Sequence, residues 1–240
     1  MKYEKLITWE DVKQGLVGKG RYSQLVLIWY WPVYFFMFLF VERLYHVSEY
    51  HIVSCWLDEL IPFNEFFVFP YLFWFVFMVW MMLYSFFFEP EVCIRYNHFF
   101  ILTFSATIIF YMIYPTAQEL RPLEFERDNI LTRFLSGLYS FDTNTNVCPS
   151  LHVIGAAAAM FAGFDTQRYR SAGWKVFFAA AFVLISMSTV FLKQHSIIDV
   201  ITALPVCVIG YVLIYKLNAL GWLRPRQAPV GAGKADTRGI

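Results

Sequence analysis

The chain has 240 residues, of which 59% are hydrophobic, 21% aromatic and only 15% charged, where a soluble domain carries roughly 25% charge. That excess excludes a disordered chain, a disulfide-rich secreted module and most soluble enzymes. A formal charge of +1 argues against nucleic-acid binding. A membrane span takes about 20 residues, so the length suits an all-α polytopic membrane protein, a six-transmembrane-helix bundle with an N-terminal interfacial helix.

Residues 1–23 are polar and lack the apolar core of a signal peptide, so they predict a cytoplasmic or interfacial segment. Thr8 followed by Asp11 has the form of a capping box, and Trp9, Val12, Leu16 and Val17 then recur at helical spacing. This predicts a short amphipathic helix on the membrane surface. The membrane domain, residues 24–220, holds six apolar stretches: Leu25–Val41, Phe66–Phe88, Phe99–Tyr114, Leu151–Phe164, Val176–Leu192 and Ile197–Leu217. The fourth is short for a span and is expected to gain a turn at either end. Its small-residue patch Gly155–Ala159 suits close packing inside a bundle. Cys93 is expected in a short loop, and Pro205 inside the sixth span is tolerable there. The loop 123–147 predicts a short helix near 128–138 that caps a pocket. Residues 221–240, rich in Gly, Pro and Arg, read as a flexible tail.

Lys and Arg set the orientation. With both termini inside, most of the cations fall inside, among them Lys2, Lys5, Lys13, Arg168, Arg170, Lys175 and Lys216. The expected location is the cell membrane, with loops 42–65, 115–150 and 193–196 outside.

Ionisable groups cost roughly 2.5–3.5 kcal/mol each at a span centre, so those near spans need a reason. His152 opens the fourth span, His195 and Asp199 open the sixth, and Arg121 follows the third. All four fall at outer helix ends. His195 and Asp199 are four apart, so the carboxylate can accept the imidazole Nδ1–H and leave Nε2 free as a nucleophile or base. A structural pair has the same spacing. Cys148-Pro149-Ser150-Leu151-His152 forms a loop-to-helix junction whose amides could take an anion.

These residues carry a resemblance. Pro149-Ser150-Leu151-His152, followed by Ser188-Thr189 and then His195 and Asp199, resembles the type 2 phosphatidic acid phosphatase superfamily, whose second and third motifs read P-S-x-H and S-R-x5-H-x3-D. The first motif, K-x6-R-P, falls on 114–122 and ends in Arg121-Pro122. Tyr114 stands where that motif has Lys, and Thr189 where the third has Arg. The resemblance covers roughly residues 66–217. It implies phosphoryl transfer through a phosphohistidine: His195 attacks phosphorus, Asp199 holds it, and His152 protonates the leaving alkoxide and then activates water. Arg121, Ser150, Thr189 and Lys193 are the expected phosphate-binding residues, with Lys193 lying outside the family pattern. No metal or cofactor is implied. The expected partners are a lipid phosphate or diphosphate and the surrounding membrane lipids. A lipid phosphotransferase related to the sphingomyelin and inositol-phosphorylceramide synthases is the alternative. A transporter or scaffold would explain six spans but not the clustered His and Asp. The sequence leaves the lipid and the oligomeric state open.

Overall fold

The computed structural model describes residues 8–20, 22–45 and 47–223. Most of the predicted tail and the first seven residues lie outside the described residues. The chain is helical almost throughout, and five helices are long and apolar enough to cross a membrane. It is a helical, multi-pass membrane protein.

Helix α1 (Trp9–Leu16) starts on the expected capping box: Thr8 Oγ1 accepts from Asp11 N at 3.2 Å, and Asp11 Oδ2 accepts from Thr8 N at 3.0 Å. The first long segment runs Ser23–Leu44 as a 3-10 turn, helix α2 (Tyr30–Leu39) and a closing π turn. Helix α3 (Trp56–Leu60) is a single turn in the following loop. Helices α4 (Val68–Phe88) and α5 (Pro90–Ile113) form a tight hairpin. Pro90 sits at the start of α5, where its missing N–H costs no hydrogen bond. The sequence places this span at Phe99–Tyr114, because Arg95, Asn97 and His98 interrupt the apolar run. In the fold the helix begins nine residues earlier, and Cys93, expected in a loop, is buried within it. Asn97 is satisfied inside the bundle: Nδ2 donates to Cys93 O at 2.9 Å, and Oδ1 accepts from Trp31 Nε1 of α2 at 3.3 Å.

Helix α6 (Ile130–Phe141) extends three residues past the predicted 128–138 and is capped by Asn129, which accepts from Leu131 N and Thr132 N. Its Leu135 packs with Val68, Tyr71 and Leu192, so α6 folds over one end of the bundle. Helix α7 (Leu151–Asp165) is the short apolar helix, and it gains one residue rather than two turns. It packs on α4, α5, α8 (Ala172–Phe191) and α9 (Ile197–Tyr211), which makes it the central helix. Its run Ala156–Ala159 is fully buried, as close approach on several sides requires. A Cβ on Gly155 would come within 2.9 Å of Trp74 Nε1 and Met78 Sδ, so these side chains of α4 pack directly on the α7 backbone. Pro205 lies inside α9.

The sequence gives no sign of one further device. His51–Ile52 (β1) pairs in parallel with Thr116–Ala117 (β2), and Ala117 also bridges to Thr145. This stitch gathers the loops 45–65, 114–129 and 142–150 at the end of the bundle covered by α6. All four cysteines are free thiols.

Candidate active site

The loop-to-helix junctions of α7 and α9 meet at that same end. Ser150 N donates to Asp199 O at 3.1 Å, which fixes one junction on the other. His152 enters from the first turn of α7, and His195 from the turn before α9. Their rings face each other, with His152 Nδ1 and His195 Nε2 3.3 Å apart. The other nitrogen of His195, Nδ1, lies 3.1 Å from Asp199 Oδ2. Asp199 therefore accepts from Nδ1–H and leaves Nε2 with its lone pair toward His152. The same oxygen accepts from Ser196 N at 2.9 Å, so Asp199 also completes the capping box of α9. Its other oxygen, Oδ1, is buried without a partner among the described residues. The ring of His152 is clasped by Tyr71 and Trp74 of α4, at centroid distances of 4.7 and 4.6 Å.

The two histidines line a cavity of about 470 Å³. Most of its wall is apolar and comes from α2, α4 and α5, including Trp31, Phe38, Met78 and Phe104. Phe35 of α2 and Phe75 of α4 line it too, yet are 54% and 49% exposed on the outside of the bundle. The cavity thus reaches the lipid-facing surface between α2 and α4.

The structure brings together His152, His195 and Asp199. It engages the four expected anion-binding residues elsewhere, and none of them lines the cavity. Lys193, at φ 53°, donates through Nζ to the carbonyls of Asp58 and Ile61, both at 2.6 Å. Burial lowers its pKa, opposed by the charge of Asp58. Arg121 donates to the carbonyls of Tyr139, Asp142 and Thr143 at 2.8–2.9 Å, and makes a short bond to Gln194 Oε1. It also lies over the Tyr139 ring. Burial lowers its pKa, and the charge of Asp142 opposes that. Thr189 Oγ1 donates to Ser186 O at 2.8 Å, and the Thr189 carbonyl accepts from the amides of Gln194 and His195. Ser150 Oγ accepts from Val153 N and caps α7. Tyr114 stacks on His51 at 4.0 Å.

Several residues of this end carry no sequence signal. Asp58, buried in the first long loop, receives Ser196 Oγ at 2.6 Å, Ile197 N at 2.8 Å and Cys55 N at 2.8 Å. It clamps the turn that presents His195. Gln118 donates to Lys193 O at 3.0 Å from the opposite side. Cys148 is no alternative nucleophile, since burial pushes its thiol up to about 11.

The arrangement is a nucleophile-competent imidazole held by a carboxylate, a second imidazole within reach, and an apolar chamber open to lipid. The chain matches no family model, no curated protein and no solved structure. The fold therefore defines the class, a multi-pass helical membrane protein.

Proposed function

We propose that the chain is a membrane lipid phosphatase similar to the type 2 phosphatidic acid phosphatases, releasing phosphate from a lipid phosphate or diphosphate through a phosphohistidine. One observation carries the reading. The Asp199–His195–His152 relay, with contacts of 3.1 and 3.3 Å, stands at the end of an apolar cavity that reaches the bundle's lipid-facing surface. His195 Nε2 attacks phosphorus in place of the inter-histidine contact. The N–P bond forms as the P–O bond to the lipid breaks, and His152 gives its proton to the departing alkoxide. His152 then takes a proton from water, which attacks phosphorus and releases phosphate from His195. Asp199 fixes the reacting tautomer and offsets the charge of the imidazolium. Arg121, Ser150 and Thr189, at motif positions, and Lys193, outside the family pattern, are the residues available to the phosphate oxygens, once their present partners are exchanged.

In this reading α7 is a sixth, short span beside the five long helices. The segment Trp9–Leu16, with Trp9 exposed, lies at the membrane interface. The cation distribution supports both termini inside and the histidines at the outer face of the cell membrane.

A second reading is transfer of the phosphoryl-headgroup unit to another alcohol. It is favoured by the engagement of Arg121 and Lys193 with carbonyl oxygens, since a diester carries less charge than a monoester. The test is phosphate release by detergent-purified protein from a panel of lipid phosphates in EDTA, with His195→Ala as control. Release that vanishes in the variant is the expected result. No release by folded protein overturns hydrolysis, and transfer between two lipids in the same preparation would replace it.

A further inference from the structure

Helix α6 exposes more apolar surface than a lid facing water needs. Its inner face is settled: Leu135 packs with Val68 and Tyr71 of α4 and with Leu192 at the end of α8. On one flank of that face Tyr139 donates to Leu192 O, and on the other Leu138 lines the cavity. The rest of the helix is divided. Ile130, Phe134 and Leu138 stand four residues apart and so form one row. Ile130 is 82% exposed and Phe134 45%. Ser136 follows Phe134 by two residues, about 200° round the helix, and is exposed on the opposite edge. The exposed Ser140 returns its hydroxyl to Ser136 O at 2.9 Å. One exposed edge is therefore apolar and the other polar.

The helix also stands at the depth of lipid. The membrane span that contains α4 begins at Glu65. Glu65 Oε1 accepts from Asn129 Nδ2 at 3.2 Å and from Arg127 Nη1 at 3.3 Å, which ties the start of α6 to the start of that span. Tyr71 Oη donates to Asp142 Oδ2 at 2.9 Å, which ties the end of α6 to the same span. Helix α6 thus runs along the rim of the bundle, beside the first turns of α4. At this level the span turns Phe66 and Phe69 outward, 58% and 61% exposed. Tyr139 reaches toward α8, so the row Ile130–Phe134–Leu138 lies on the flank away from α8, where the cavity is. The exposed Arg133 pairs with Asp128 at 2.8 Å, so the charges beside the row cancel and leave apolar area to select what covers it.

We propose that α6 is an interfacial helix whose partner is the bilayer surface at the histidine end. Its Ile130–Phe134 edge sits in the boundary between headgroups and acyl chains, and its Ser136 edge faces water. The apolar belt of α4 continues onto this edge, and the edge continues through Leu138 into the cavity. A lipid moving along it passes from the leaflet to the chamber without leaving apolar surface. The inference makes no use of the phosphoryl-transfer reading and stands if that reading fails.

The experiment places nitroxide labels on the full chain in phosphatidylcholine nanodiscs, at Ile130→Cys, Phe134→Cys, Ser136→Cys and Ser140→Cys. The background carries Cys55→Ser, because Cys93, Cys148 and Cys207 are buried. Collision of each label with oxygen, which concentrates in lipid, is compared with collision with a water-soluble nickel chelate. The oxygen-to-chelate ratio is expected to be about threefold higher at positions 130 and 134 than at 136 and 140. Equal ratios at the four positions overturn the proposal, and so does a preference for the chelate at 130 and 134. Diluting labelled with unlabelled protein tests for a second copy of the chain: spin–spin broadening at 134 that disappears on dilution means that a neighbouring copy covers the edge, and overturns the proposal. A measurement on wild type needs no substitution. Lipids with a photoreactive group at the headgroup–acyl boundary are expected to modify Ile130 and Phe134 as they do Phe66 and Phe69, and to leave Ser136 unmodified. Modification of the α4 pair without the α6 pair overturns the proposal.

Discussion

The two ends of the bundle differ in what their partly buried cations hold. At the end away from the histidines, charges are matched locally. Arg95 reaches Asp165 through Nε and Nη2, both at 2.7 Å. Glu89 takes the Thr166 hydroxyl and the Gln167 amide across the turn between α7 and α8. At the histidine end the cations Arg121 and Lys193 hold backbone carbonyls, while Glu42 and Asp142 are turned to the cavity. Matched pairs close a structure; a carboxylate turned to a cavity, with its cations holding loops elsewhere, leaves chemistry to be completed by a ligand.

Substitutions at the two ends should therefore differ in kind. The largest effect is expected at Asp199→Asn. An amide oxygen facing both Ser196 N and His195 Nδ1 keeps the cap of α9, while the exchange removes the carboxylate charge that offsets the imidazolium. In an analogous triad that exchange costs about 10⁴ in rate. Phosphate release should fall by about that factor with the unfolding midpoint nearly unchanged, and a wild-type rate would break the contrast. Asp58→Ala comes next. It strands the Ser196 hydroxyl and the Ile197 amide, so a loss of about 3 kcal/mol is expected in denaturant titration. Turnover should fall as the His195 turn loosens. At the other end, Arg95→Ala breaks a largely buried pair in which two guanidinium nitrogens share one Asp165 oxygen, and is expected to cost about 1 kcal/mol with turnover unaltered. A rate effect there would erase the distinction between the ends.

The smallest effect concerns pH. Burial acts to raise the Glu89 pKa, but the donors Thr166 and Gln167 outweigh it and hold the carboxyl below the ordinary glutamate range. A depressed folded pKa means the unfolded chain binds the proton first as pH falls. The stabilisation is complete above the unfolded pKa and is lost as pH drops through the folded one. Wild type and Glu89→Gln should therefore converge in unfolding midpoint at acidic pH and separate near neutrality.

What the sequence made legible follows from how far apart the interacting residues lie. His195 and Asp199 are one turn apart, and the motif spacing brings His152 to them across a helical hairpin, so the relay could be read. Asp58 meets Ser196 across 138 positions and Glu42 meets Asn146 across 104, and no local pattern announces either. The early start of α5 was hidden for a related reason. Asn97 reads as a loop residue until Trp31, on another helix, supplies its partner. The surroundings of the expected cations carry no signal in the sequence: Arg121 and Lys193 donate to carbonyls of the loops, which side-chain pattern does not reveal.

The shortness of α7 has a consequence for the membrane itself. Its 15 residues give a rod of about 22 Å, against a hydrocarbon layer of about 30 Å. His152 touches Tyr71 and Trp74, which stand about 5–9 Å along α4 from its Val68 end. The facing histidine nitrogens are thus sunk beneath the level where the neighbouring helix emerges. In the proposed reading, a lipid would meet them only where the leaflet dips around α7, so the thickness of the host bilayer would act as a setting on the enzyme, felt before any headgroup is recognised.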